Sequence, residues 1–126
     1  MFDFFKGKPK AKPKFSILET YENRDKYFYR IAEWFWHNKN EITVVDPNKP
    51  RVITLDPWPQ LVYLAADGQR TVSQYIDVMA NKYSGQIPEE LDETIIKQIN
   101  VLLLEKIIKI SDTPQKLDTN ILHPNK

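Results

Sequence analysis

The side chains that carry most enzyme and metal chemistry are sparse in this chain. Cysteine is absent, and histidine occurs twice, as His37 and His123. Thiolate nucleophiles, disulfides and cysteine-ligated zinc or iron–sulfur centres are therefore excluded, and a transition-metal site would be short of ligands. His37 falls in an expected turn and His123 in an expected tail, so both read as solvated surface. Glu89, Glu90, Asp92 and Glu93 crowd four carboxylates after Pro88. The positive end of a helix dipole accounts for them better than acid–base catalysis or calcium binding does. Gly7, Gly68 and Gly85 are too dispersed for a phosphate-binding loop, and Trp34, Trp36 and Trp58 read as core rather than a ligand cage. The expectation is a non-enzyme with no catalytic residue, cofactor or metal.

The chemistry that remains is recognition. Arg51–Leu55 (RVITL) is rich in β-branched residues and contains no proline. At a sheet edge it would display unpaired N–H and C=O groups, a template for a guest strand. Further on, Ile95, Ile96, Ile99, Leu102 and Leu103, extended by Leu91, share one face at helical spacing. Val101 and Leu104 fall on the opposite side, beside Thr94, Lys97 and Gln98. A helix with one buried face has no need of that second apolar strip. With a cation alongside, it suits a peptide bearing hydrophobic and acidic side chains. The competing expectation is that the chain's own aromatic segment, 27–36, covers Val101 and Leu104.

These residues must be positioned by local elements. YFYRIAEWFW, residues 27–36, holds six of the fifteen aromatic residues. Its period fits a helix, while its composition and the following Asn38-Lys39-Asn40 fit a strand. EITVV (41–45) and RVITL (51–55) flank DPNKP, which predicts a tight hairpin. Asp56-Pro57 then starts a helix that stops at Asp67-Gly68. Thr71-x-x-Gln74 matches a capping box and opens a second helix, through Tyr83. Pro88 starts a third, running to about Lys106, and IIKI (107–110) reads as a last short strand. The result is a hairpin followed by a three-helix unit of helix-turn-helix type, that is, an α+β, winged-helix-like domain over 21–111. Residues 1–20 read as a disordered basic tail. In it, Phe2, Phe4 and Phe5 with the following lysines offer at most weak contact with an anionic membrane surface. Residues 112–126, with two prolines and no periodicity, read as a disordered C-terminal tail.

The bulk numbers agree with a small globular chain: 126 residues, 41% hydrophobic, 28% charged and a formal net charge of +1. No apolar run approaches the ~20 residues needed to span a bilayer, and no secretory signal is evident, so the expected location is the cytoplasm. A helix-turn-helix invites a DNA reading. Yet Asp56–Lys106 carries eight acids and four bases, and an acidic helical unit is repelled by a duplex. DNA therefore ranks low as a partner.

RVITLD (Arg51–Asp56) leading into a helix, ADGQRTV (Ala66–Val72), a helix ending in Tyr83, and a last amphipathic helix running into Ile107-Ile108 resemble the PqqD-like family. These are small winged-helix domains, also called RiPP recognition elements. The resemblance covers roughly half of the chain. Gln74 and Tyr75 depart from the family's usual Glu and Ile, and Lys106 stands where a glycine usually ends the last helix. The family begins with three strands, which implies a strand at Tyr29–Trp36. It also implies a function: capture of the leader segment of a ribosomally made precursor peptide, added as a strand beside the third strand and against the third helix. The leader is thereby presented to a modifying enzyme, often a radical-SAM protein. By position, the implied peptide-binding residues are Arg51, Val52, Ile53, Thr54, Leu55, Thr94, Lys97, Gln98, Val101 and Leu104. The alternative expectation is a structural or assembly protein that keeps the winged-helix fold, with nucleic-acid binding ranked behind it.

Overall fold

The computed structural model describes residues 12–125. Helix α1 (Ser16–Thr20) is followed by strands β1 (Tyr27–Arg30), β2 (Trp34–Trp36), β3 (Ile42–Val45) and β4 (Val52–Thr54). Then come α2 (Pro57–Ala65), β5 (Asp67–Thr71), α3 (Val72–Ala80), α4 (Leu91–Leu104), β6 (Ile108–Ser111) and α5 (Thr119–Leu122). Among the described residues the fold is thus α+β, with five helices and two antiparallel three-stranded sheets, β5–β1–β6 and β2–β3–β4.

The turn chemistry acts as the sequence implied. Asp46 Oδ1 accepts from the Asn48 N–H at 2.8 Å and Oδ2 from Arg51 Nε at 2.7 Å. Together they close the β3–β4 hairpin, with Val45 opposite Val52 and Thr43 opposite Thr54. Pro57 occupies the first turn of α2, where its missing N–H costs nothing. The Thr71–Gln74 capping box is formed in both directions, at 3.2 and 2.9 Å, satisfying two donors that α3 would otherwise leave bare. The core between the sheets and the helices includes Phe28, Ile42, Val44, Tyr63, Ile76, Ile95, Ile99, Leu102 and Ile107, each at most 1% exposed.

Three expectations are corrected. The aromatic segment is neither one helix nor one strand. It breaks at Ile31–Glu33, so that β1 joins β5 and β6 while β2 joins β3. At the break the backbone changes sheets: Ile31 N–H still donates to the Ile107 carbonyl beside β6, while the Glu33 carbonyl already accepts from the Val45 N–H of β3. The N-terminal boundary lies earlier than residue 21, because Phe15 is buried and α1 packs on α4. The membrane-contact reading of Phe2, Phe4 and Phe5 lies outside the described residues.

The third correction concerns residues 112–125, which dock rather than trail. Gln115 N–H donates to the Gly68 carbonyl at 3.0 Å. The positive φ of Gly68, 80°, and the lack of room for a Cβ beside the Gln115 carbonyl both require glycine there. Further along, the Ile121 and Leu122 carbonyls accept from Arg30, and Asn125 N–H donates to the Trp34 carbonyl at 2.7 Å.

Two stability predictions arise from this packing. The Tyr75 hydroxyl is buried without a hydrogen-bond partner among the described residues, while its ring packs on Phe28 with centroids 5.5 Å apart. Burial pushes the phenol up to about 12, against the opposing charge of Arg70. Tyr75→Phe therefore keeps the packing and relieves a stranded polar group, so the folded state gains about 1 kcal/mol. A urea denaturation midpoint that falls instead would place a partner on that oxygen. The second site is the end of α4. Ile107 N–H reaches the Leu102 carbonyl at 3.3 Å and Lys106 N–H the Leu103 carbonyl at 3.0 Å. This is a Schellman terminus, with Lys106 at φ 61° in the left-handed region that glycine favours. Lys106→Gly removes the strain of a Cβ there and raises stability by about 1 kcal/mol. A lowered midpoint would mean that the lysine side chain contributes more than its backbone costs.

Candidate functional site

Strand β4 forms one edge of its sheet, pairing only with β3. Asp46 N–H donates to the Arg51 carbonyl at 3.1 Å. Antiparallel alternation then gives Ile53 to the β3 ladder and turns the N–H and C=O groups of Val52 and Thr54 outward. The side chains alternate in step. Ile53 and Leu55 pack against the core, while Val52 is 60% exposed and Thr54 is also exposed. The opposite edge of this sheet, β2, is occupied by the chain itself through a parallel bridge from Phe35 to Asn125. Among the described residues, nothing pairs with the outer side of β4.

Helix α4 behaves as its wheel implied. Ile95, Ile96, Ile99 and Leu102 are buried, Val101 is 41% exposed and Leu104 83% exposed. Lys97 is exposed, and Thr94 and Gln98 are half-buried. The aromatic segment pairs with other strands and does not cover the Val101–Leu104 strip, so that competing expectation is overturned. A second wall stands instead on the far side of the strip. Ile17 of α1, Ile96, Lys97, Asn100, Val101 and Leu104 line a cavity of about 420 Å³. No spacing or motif along the chain signals that wall. Two contacts fix it: Asp92 Oδ2 accepts from the Leu18 N–H at 3.0 Å, and the Tyr21 hydroxyl donates to Asn100 Oδ1 at 2.9 Å. Asp92 is thus a buried anchor for α1, not a solvated member of a dipole-facing cluster.

The structure joins the two halves of the predicted site at one end only. Arg51 Nη2 meets Glu105 Oε1 at 2.9 Å, and Asn48 Nδ2 donates to the Lys106 carbonyl at 3.1 Å. Neither Arg51 nor any residue of β4 lines the α1–α4 cavity. Hydrogen bonds from the Asn48 N–H and from Arg51 hold the Asp46 carboxyl below its ordinary range. Asp46 and Glu105 in turn hold the Arg51 guanidinium above its own. The junction is an ionic contact between the start of the strand and the end of the helix, half-exposed at both Arg51 and Glu105. His37 and His123 are both exposed. Among the described residues no helix is long and apolar enough to cross a membrane.

No protein family, curated protein or solved structure matches the chain.

Proposed function

We propose that this protein is a non-catalytic, winged-helix-like peptide-recognition domain of PqqD-like character. In this reading a leader-type segment of a precursor peptide adds as a strand to β4, lies along the exposed strip of α4, and is presented there to a modifying enzyme. The observation that carries the reading is the free backbone edge at Val52 and Thr54, joined through Arg51 to a helix whose Lys97, Val101 and Leu104 lie open. Main-chain bonds to the edge supply sequence-independent affinity, and the α4 strip supplies selectivity. Each aliphatic side chain fully buried by the guest contributes ~1.5–3 kcal/mol before the cost of ordering it. The solvent side of α3 presents Gln74, Asp77, Asn81 and Lys82, with Asp77 held by Lys12 at 2.8 Å, a poor surface for a phosphate backbone.

The test is a titration of the labelled full chain with peptides encoded by short reading frames beside its gene, observed through backbone amides. Shifts concentrated at Arg51–Leu55 and at Thr94–Leu104 are expected. If other amides move while these stay still, the site is wrong. Concentration-dependent self-association in sedimentation, lost on blocking β4, would favour the assembly reading instead.

A further inference from the structure

Among the described residues, strand β6 too has a backbone side that no other strand pairs with. It closes one side of sheet β5–β1–β6, with Tyr29 opposite Lys109 and Arg30 opposite Ile108. Ile31 N–H donates to the Ile107 carbonyl at 3.0 Å. That phase commits Ile107 and Lys109 to β1 and turns the N–H and C=O groups of Ile108 and Ile110 outward. Beside this edge lies a cavity of about 440 Å³, walled by Ile31, Pro47, Leu103, Ile108 and Ile110. Its polar lining is Asn48, Lys106 and Lys109, with no carboxylate. Neither lysine forms an ion pair among the described residues.

Lys106 adds a separate observation. It adopts φ 61° at a helix terminus where glycine would be unstrained. A cation is thus held at a conformational cost in the wall of a largely apolar cavity that has no carboxylate in its lining, and backbone strain of this kind concentrates where a residue has a task.

We propose that the β6 edge docks an extended segment of a partner protein in which acidic and aliphatic residues alternate. A strand added to β6 presents alternate side chains to opposite faces. One set enters the cavity over Ile108 and Ile110, and the other meets Lys109. Lys106, lining the same cavity, takes a carboxylate near the end of the strand. The bare edge selects a peptide over other anions, because only a backbone returns its hydrogen bonds. The assignment does not rest on the β4 reading, since it uses a different sheet and a different cavity.

The experiment uses the labelled full chain and two synthetic hexapeptides, one alternating valine with glutamate and one alternating valine with lysine. The glutamate peptide is expected to shift the amides of Ile108 and Ile110 and to bind roughly tenfold more tightly than the lysine peptide, the difference shrinking in high salt. The double variant Lys106→Gly, Lys109→Gln is expected to weaken the glutamate peptide by roughly tenfold. Its urea midpoint, no lower than that of the parent chain, would show that this loss is not unfolding. Equal affinity for the two peptides, or still amides at Ile108 and Ile110 at millimolar peptide, would overturn the proposal. So would self-association of the free chain through β6, which would assign the edge to a second copy.

Discussion

Replacing Arg30 with methionine destabilises the protein by about 3–5 kcal/mol and frees residues 112–125 to proteolysis. Arg30 is only 4% exposed, and each of its side-chain hydrogen bonds ends on a backbone carbonyl. Nη1 reaches Tyr63, Leu64 and Ala66 at 3.4, 3.0 and 3.3 Å. Nε reaches Ile121 at 3.1 Å, and Nη2 reaches Leu122 at 3.0 Å. Tyr63 and Leu64 lie in the last turn of α2 and Ala66 is its C-cap, the negative end of the helix dipole, so among the described residues the cation is held without a carboxylate in contact. Trp34 and Tyr63 present their rings to the guanidinium at 5.5 and 6.0 Å, which adds cation–π attraction. Burial lowers the guanidinium from its ordinary value, yet arginine stays charged in folded proteins. Methionine fills the space but takes the donor from the Leu64 and Leu122 carbonyls, at ~1–3 kcal/mol each where they stay buried, while those of Tyr63, Ala66 and Ile121 keep the Ala66 N–H, the Arg30 N–H and the Trp34 Nε1–H. Lysine keeps the charge without the planar fork, and is expected to recover only part of the loss. Denaturant midpoints and limited proteolysis check both variants. A loss below about 1 kcal/mol for methionine would show that the C-terminal segment is held by other contacts.

The second large effect is on binding. Val52→Pro is expected to lower guest-peptide affinity by at least roughly tenfold while costing less than ~1 kcal/mol of stability. The Val52 N–H faces away from β3, so its loss breaks no ladder bond, and edge strands tolerate proline for that reason. A guest strand, by contrast, loses a donor and meets the ring. Ile53→Pro is the contrasting control. It removes an N–H that the ladder uses and is expected to cost about 3 kcal/mol. Calorimetric titration of both variants, with thermal unfolding alongside, separates edge from fold. Wild-type affinity in Val52→Pro would remove strand addition from the account.

The parts of this molecule that were legible in its sequence are those governed by local chemistry. The β3–β4 hairpin follows from Asp46 and Pro47, the start of α2 from Pro57, and the start of α3 from Thr71 and Gln74. The core face of α4, and the exposure of Val101 and Leu104, follow from spacing alone. Other features have no local signature. The split of 27–36 into two sheets occurs at Ile31–Glu33, with neither glycine nor proline to mark it. Arg30 sits amid aromatics in a run that reads as a half-exposed strand. Its partners are carbonyls, which every residue type supplies, and the one residue the docking of 112–125 does dictate, Gly68, reads equally as an ordinary turn glycine. Asp92 was explained too easily by the helix dipole, which hid its bond to the Leu18 N–H. On the site itself, Arg51–Leu55 and the α4 strip were within reach of sequence reasoning. The α1 wall and the β6 cavity depend on tertiary placement and were not. Lys106 alone signalled the latter, as a lysine where a glycine would terminate the helix.

The most direct test of the central claim is amide hydrogen exchange at Val52 and Thr54 with and without a saturating guest peptide. Outward amides on a bare strand exchange freely, and a paired guest strand protects them. Strong slowing at Val52 and Thr54, with Ile53 already protected in the free chain, is the predicted result. Unchanged exchange at both positions in a peptide-saturated sample would contradict it.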